Sequence, residues 1–318
     1  MYRPYFRGKQ FELIAIRERA GLFAECGFVP IIEPVKESIA GLTKTLDAIR
    51  DAEGRAILIV NPYHGDHSGG DAISTILREV YNKDDFVSAG VLLRSEMALN
   101  EALAVCKSHA AHDLTIIHAG FTDPKGLAAH LSAENVAVSE HIFIDKFTGH
   151  LYRRHFTGPT RILVGDGFER RRNADYPETE EFSELHVTYS ELKMDGFGDF
   201  LIVGDDYSET GGPAYAVAIH LTFIDDEKDD VMYVYHFVSD TNDTPTDPAG
   251  KFAQALRKLV LKLDSGASKL YDTTAIEEFR ALHDKGHFPG LGYVKKLSMI
   301  HHLETLATFL RLKPEGRE

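Results

Sequence analysis

The chain has 318 residues, 43% of them apolar, enough for one large core or two ordinary ones. Forty-nine acidic residues against 35 basic ones leave a formal charge of -14, a surface that repels nucleic-acid backbones. No stretch approaches the roughly 18 unbroken apolar residues of a membrane helix, so no membrane partner is expected.

The first residues, MYRPYFRGKQ, lack the apolar segment of a secretory signal, and a cytoplasmic location is expected. FRGKQFELIAIRERAGLFAEC follows, with Leu13, Ile14, Ile16, Leu22 and Phe23 spaced for an amphipathic helix ahead of the first strand. Arg7, Lys9 and Glu12 read there as an ion-paired group closing the base of the fold. A unit then recurs in which a short apolar run stops at a polar residue and leads into a helical stretch. VPIIEP ends at Glu33, ILIVNPYH at Asn61 and His64, and AGVLLRSE at Arg94. LTIIHAG ends with His118, HIFIDK with Asp145 and Lys146, and RILVGDG with Asp166. The early units begin near Val29, Ala56, Val87, Leu114 and His141, a step of about 30 residues, the length of one strand plus one helix. The runs are almost continuous Val, Ile and Leu, as in strands covered by helices.

After Lys146 the regularity weakens. DFLIVGDD reads as a further strand ending at Asp205 and Asp206. AYAVAIHLTFIDDEKDDVMYVYHFVSD reads as a hairpin with a polar turn over Asp225 to Asp230, ending at His236 and Asp240. The C-terminal third is helical. No linker divides the chain, and no Gly-rich turn follows the first strand, as an open nucleotide-binding sheet would require. The pattern predicts a (β/α)8 TIM-like barrel with an inserted β-hairpin and extra C-terminal helices, as one domain over 1–318. In such a barrel the strand-end residues converge on one mouth.

PYFRGKQFELIAIRE, GFVPIIEPVKE and the late GHFPGLGYVKKLSMIHHLE together resemble an uncharacterised bacterial family related to the "beta family" proteins of phages and bacteria. The likeness runs from Arg7 to Glu304, the middle being matched mainly by pattern. It implies a TIM-like barrel and a defence-type gene neighbourhood, sometimes with a nuclease-like partner encoded nearby. It brings no catalytic residues with it.

Chemistry is expected at the strand ends. Glu33, His64, His118 and Lys146 are candidate acids, bases or nucleophiles. Asp145, Asp166 and Asp205 offer hard oxygen donors of the kind Mg²⁺ or Mn²⁺ prefers. Arg94, Arg170, Asn61, His236 and Asp240 would complete a pocket for a small anionic ligand. In HFPGLGYVKK, Gly290 and Gly292 come just before a helix whose N-terminus favours an anion, assisted by Lys295 and Lys296. Any one of these residues is explained as well by its place at a loop start; the set carries more than its members. In NPYHGDHSGGD, Ser68 and Asp71 read as helix caps, and a zinc site on His64, Asp66 and His67 would need ligands from other loops. His301 and His302 are adjacent and cannot share a helix face, so one is expected inward and one solvated. Cys26 and Cys106, in neither metal nor redox spacing, read as buried reduced thiols.

Two functions fit. One is a metal-assisted hydrolase or lyase acting on a small phosphorylated or carboxylated substrate in phage defence. The other is a non-catalytic ligand- or protein-binding module working with a neighbour-encoded effector in phage defence. An accessory role on nucleic acid conflicts with the charge.

Overall fold

A computed structural model describes residues 1–68, 70–81, 85–209 and 212–312. The strands in chain order are β1 (Tyr5–Phe6), β2 (Ile31–Ile32), β3 (Ala56–Ile59), β4 (Val87–Arg94), β5 (Thr115–Ala119), β6 (Glu140–Ile144), β7 (Thr160–Gly165), β8 (Thr179–Ser183), β9 (Gly196–Asp199), β10 (Ala218–Asp225) and β11 (Val231–Val238). The helices are α1 (Gln10–Glu18), α2 (Ala20–Cys26), α3 (Ala40–Asp51), α4 (Asp71–Glu79), α5 (Leu99–Ser108), α6 (Pro124–Ala133), α7 (His150–Arg153), α8 (Leu185–Thr188), α9 (Pro248–Asp264), α10 (Thr274–Lys285) and α11 (Leu291–Leu312). Among the described residues no helix is long and apolar enough to cross a membrane.

The chain folds into two compact units, Met1–Gly165 with Thr188–Phe200, and Asp166–Val187 with the described residues from Leu201 on. The backbone passes between them three times, so no single linker in the sequence marks the change.

The first unit is the (β/α)8 barrel. Its sheet runs β1-β2-β3-β4-β5-β6-β7-β9, every pair parallel. A parallel bridge between Tyr2 and Phe197 closes it, with Arg3 N donating to Phe197 O at 2.9 Å and Phe197 N to Met1 O at 3.0 Å. Closure leaves no edge strand to protect. Two strands differ from the sequence expectation. The first is Tyr5–Phe6, ahead of the N-terminal helix, and is too short to show a period. The last is Gly196–Asp199, while Leu201–Val203 of DFLIV forms a 3-10 turn.

Strand side chains alternate faces, and the interior face is set by Tyr5, Ile31, Ile57, Ile59, Leu92, Ile117, Ala119, Ile142, Ile144, Ile162, Val164 and Phe200, all buried. Gly90 lies on this face, where an added Cβ would come within 2.9 Å of the side chains of Ile57 and Ile117. A methyl there would overpack the barrel. Outside, α3 buries Leu42, Leu46 and Ile49, and α4 buries Ile73, Ile76 and Leu77, each on one stripe. Arg3 pairs with Glu140, Nη2 to Oε1 at 2.6 Å, at the N-terminal end of β6. That pair closes the base; Arg7, expected to do so, lies past the end of β1, beside Glu33.

The second unit carries an antiparallel sheet ordered β10-β11-β8 with α9, α10 and α11. The expected hairpin is β10–β11, and the acidic stretch around Glu180 supplies a third strand. Helix α11 is buried on nearly every side, from Val294 to Phe309. His301 and His302 are therefore both fully buried, contrary to the expectation that one is solvated. Both bond Thr222, His301 Nε2 donating to its carbonyl at 2.8 Å and His302 Nδ1 lying 3.0 Å from its hydroxyl.

Candidate functional site

The period of two decides which strand-end residues enter the barrel mouth. Glu33, Asn61 and Arg94 continue the inward series of Ile31, Ile59 and Leu92. Glu33 is completely buried, and its carboxylate accepts four hydrogen bonds. Tyr5 Oη donates at 2.9 Å and Arg7 Nη1 at 2.5 Å to Oε2; the backbone N–H groups of Tyr63 and His64 donate at 3.0 and 3.1 Å to Oε1. With every lone pair occupied, Glu33 ties the β2 end to the loop after β3, a different task from the catalytic one expected of it. Asn61 serves a similar purpose: its amide bonds the carbonyl and N–H of Leu92 at 2.9 and 2.8 Å, extending the β3–β4 ladder by one rung. Arg94 lies over the Tyr63 ring, 3.2 Å from its centroid, and its Nε bonds Glu96 at 2.8 Å. His64 packs edge-on to Tyr63, with ring centroids 4.8 Å apart. Helix α4 is preceded by Gly70 in the left-handed conformation, and neither Ser68 nor Asp71 caps it through a side chain.

His118 and Asp145 have the opposite parity, one residue away from Ala119 and Ile144. His118 is buried on the helix side of the barrel among His141, Phe143, Tyr152 and Phe156 and does not reach the mouth. Asp145 pairs with Arg153 at 2.9 Å, and Lys146 Nζ lies 4.9 Å from the Phe147 centroid.

In the second unit, Asp166 organises a loop: its carboxylate accepts from Phe168 N at 3.1 Å and Asp205 N at 2.9 Å. Asp205 thus follows a 3-10 turn and not a strand end. Among the described residues, no three His, Cys, Asp or Glu side chains come together to hold a metal ion. The expected Asp145, Asp166 and Asp205 set for Mg²⁺ or Mn²⁺ is accordingly not assembled, and neither is a zinc site on His64, Asp66 and His67. Asp240 is held by Lys258 at 2.8 Å and Arg257 at 3.6 Å, which tie the end of β11 to α9 and commit a carboxylate expected to contact ligand. Gly290, with φ of 92°, precedes α11 as expected, whereas Gly292 lies inside its first turn and not ahead of it.

One expected residue does join a constellation. His236 stands opposite His220 in the β10–β11 register, and their Nδ1 atoms are 2.6 Å apart. His236 Nε2 lies 3.0 Å from Glu180 Oε1 on β8. Arg171 Nη1 holds both Glu180 oxygens, at 2.6 and 2.7 Å, and Tyr176 stacks on His236 with centroids 4.6 Å apart. A carboxylate accepts only, so His236 carries its proton on Nε2. Burial holds the His236 pKa down at about 4 despite Glu180, so the ring is neutral and its Nδ1 is a bare acceptor. His220 must then donate from Nδ1. Burial, then the fields of His236 and Lys295, push the His220 pKa well below its ordinary value, so this ring too is neutral. Its Nε2 is left as a lone pair, with no hydrogen bond from any described residue. The order Glu180–His236–His220 is the carboxylate–imidazole tautomer logic of a catalytic triad, lengthened by one ring.

Lys295, in the first turns of α11, is exposed and adds positive charge at His220. Arg170, also exposed, acts on the Tyr176 hydroxyl in the same way, and its Nη1 lies 3.5 Å from Asp206 O. The sequence does not single out His220, Glu180 or Tyr176. The His220–His236 pair was within reach, because a turn over Asp225 to Asp230 sets the register that pairs them. Nothing in the sequence links Glu180 to either ring.

No protein-family model, curated protein or solved structure matches this chain.

Proposed function

We propose that the protein is an acid–base enzyme, a hydrolase or lyase for a small phosphorylated or carboxylated substrate, with His220 Nε2 as its general base. The observation that carries this reading is the Glu180–His236–His220 relay, which leaves one unbonded imidazole lone pair on a half-buried ring. When Nε2 takes a proton from water or substrate, His220 becomes an imidazolium. Its charge is stabilised through the Nδ1–Nδ1 hydrogen bond and His236 by Glu180. Lys295 supplies the positive charge beside that ring, which suits an anionic group and offsets the acidic surface. Arg171 orients Glu180 and is a positioning residue, as is His236.

The test is hydrolysis of p-nitrophenyl phosphate and p-nitrophenyl acetate by the wild type and by His220→Ala. General bases contribute on the order of 10²- to 10⁴-fold, so a comparable loss is expected in the variant. Turnover unchanged in His220→Ala would refute the assignment. Saturable binding of inorganic phosphate without turnover of either compound would favour the binding-module reading instead.

A further inference from the structure

The relay in the second unit leaves unused a separate histidine chain on the outer, helix-facing side of the barrel. Tyr152 Oη lies 2.8 Å from His118 Nδ1, and His118 Nε2 lies 3.0 Å from His141 Nδ1. His118 is wholly buried and His141 is 4% exposed. His141 also lines a solvent-open cavity of about 410 Å³ between β6, α6 and the segment after α7, walled by polar Ser132, Asn135 and Thr157 as well as by Leu131, Phe156 and Pro159. A volume of this size accommodates a small organic molecule. His141 Nε2 has no hydrogen-bond partner among the described residues, so the buried chain ends in an open nitrogen at the cavity.

Each link in the chain holds one proton. If Tyr152 donates to His118, then His118 donates from Nε2, and His141 presents an N–H to the cavity. If the chain runs the other way, His141 donates from Nδ1 and presents a bare Nε2, while His118 donates to the tyrosine oxygen. The same wall therefore offers a donor or an acceptor, according to which way three side chains are turned. Burial keeps both rings neutral, His118 well below its ordinary pKa and His141 at about 3, Arg161 adding to the effect at His141. A neutral imidazole is no anchor for an anion. The Phe156 ring, 4.8 Å from His141, provides an aromatic surface beside the polar atom.

We infer that this cavity is a binding site for a small uncharged aromatic molecule carrying one hydrogen-bonding group, which sets the direction of the Tyr152–His118–His141 chain. It is independent of the acid–base reading, because it uses no residue of the second unit.

The probes are indole, which only donates, and quinoline, which only accepts and is neutral at pH 7.5. The readout is ¹⁵N-imidazole NMR of the full-length wild type. Both compounds are expected to give saturable changes at His141. Indole should leave Nε2 pyridine-like, and quinoline should leave it pyrrole-like, with His118 switching tautomer in step. His141→Phe, which keeps a ring in the wall, should weaken both at least tenfold. No saturable response of His141 to either compound, or unchanged affinity in folded His141→Phe, would overturn the inference. The wild-type measurement stands even if the variant does not fold.

Discussion

His220 and His236 face each other across the β10–β11 hairpin with their Nδ1 atoms 2.6 Å apart, so a single proton is shared between two neutral rings. Glu180 decides which ring owns it. In ¹⁵N NMR at pH 7.5, His236 should carry its proton on Nε2 and His220 on Nδ1. Glu180→Gln, whose amide can donate as well as accept, should redistribute both tautomers. An unchanged tautomer pattern in that variant would remove Glu180 from control of the relay.

Stability should depend on pH through the buried neutral histidines. Burial lowers the pKa of His109, His118, His141, His220, His236 and His301, to about 4 for His236 and His301 and about 3 for His141. In the unfolded chain these rings titrate near 6.5. As pH falls through that value the unfolded state takes up protons that the folded state refuses, so stability is lost. Each such ring contributes a slope of about 1.4 kcal/mol per pH unit between the unfolded and folded values. Urea midpoints should therefore be level above pH 7 and fall steadily from pH 6.5 toward 4; a flat profile would contradict the assignment.

The Arg7–Glu33 pair is enclosed, with the two side chains 9% and 0% exposed. Arg7→Met leaves a buried carboxylate that has lost its counter-charge, at a cost of about 3–5 kcal/mol. Arg7→Met with Glu33→Leu should recover part of that loss, since the charge is gone as well. Denaturant titration of the two variants distinguishes this from a simple packing defect, in which the double variant would be the worse.

Gly65, at the tip of the loop after β3, has φ of 76°, and a Cβ there would meet Val35 O at 2.0 Å. Gly65→Ala combines the left-handed penalty with a backbone clash and should cost at least about 1–3 kcal/mol. Gly27 also has positive φ, 64°, but nothing within 4 Å of an added Cβ, so Gly27→Ala isolates the conformational part alone. The thermal midpoint of Gly65→Ala should lie below that of Gly27→Ala.

Cys106 is completely buried and its thiol is pushed up to about 12, chiefly by burial, whereas Cys26 at the end of α2 is half-buried. Iodoacetamide on the native protein should give one adduct, at Cys26, with Cys106 reacting only after unfolding.

The sequence by itself determined the barrel. Apolar runs every 27 to 31 residues and the helical stripes between them are local patterns, and they survive folding as β2 to β6 and their covering helices. It left the inward or outward sense of the strand ends open, since Ile116 and Ile117 are equally apolar and only the folded barrel puts Ile117 inside and His118 outside. Tertiary structure decided the rest. The Tyr5–Phe6 strand is fixed by its pairing with Ile31–Ile32, and the sheet closes only where Tyr2 meets Phe197, far along the chain. Glu180 reaches His236 across 56 residues, and Glu33 meets its four donors across 26 to 31. A carboxylate or an imidazole has the same appearance in a sequence whether it is a base, a tie or a wire. Its role depends on which lone pairs and protons its neighbours have already taken, and those neighbours are chosen by the packing of distant segments.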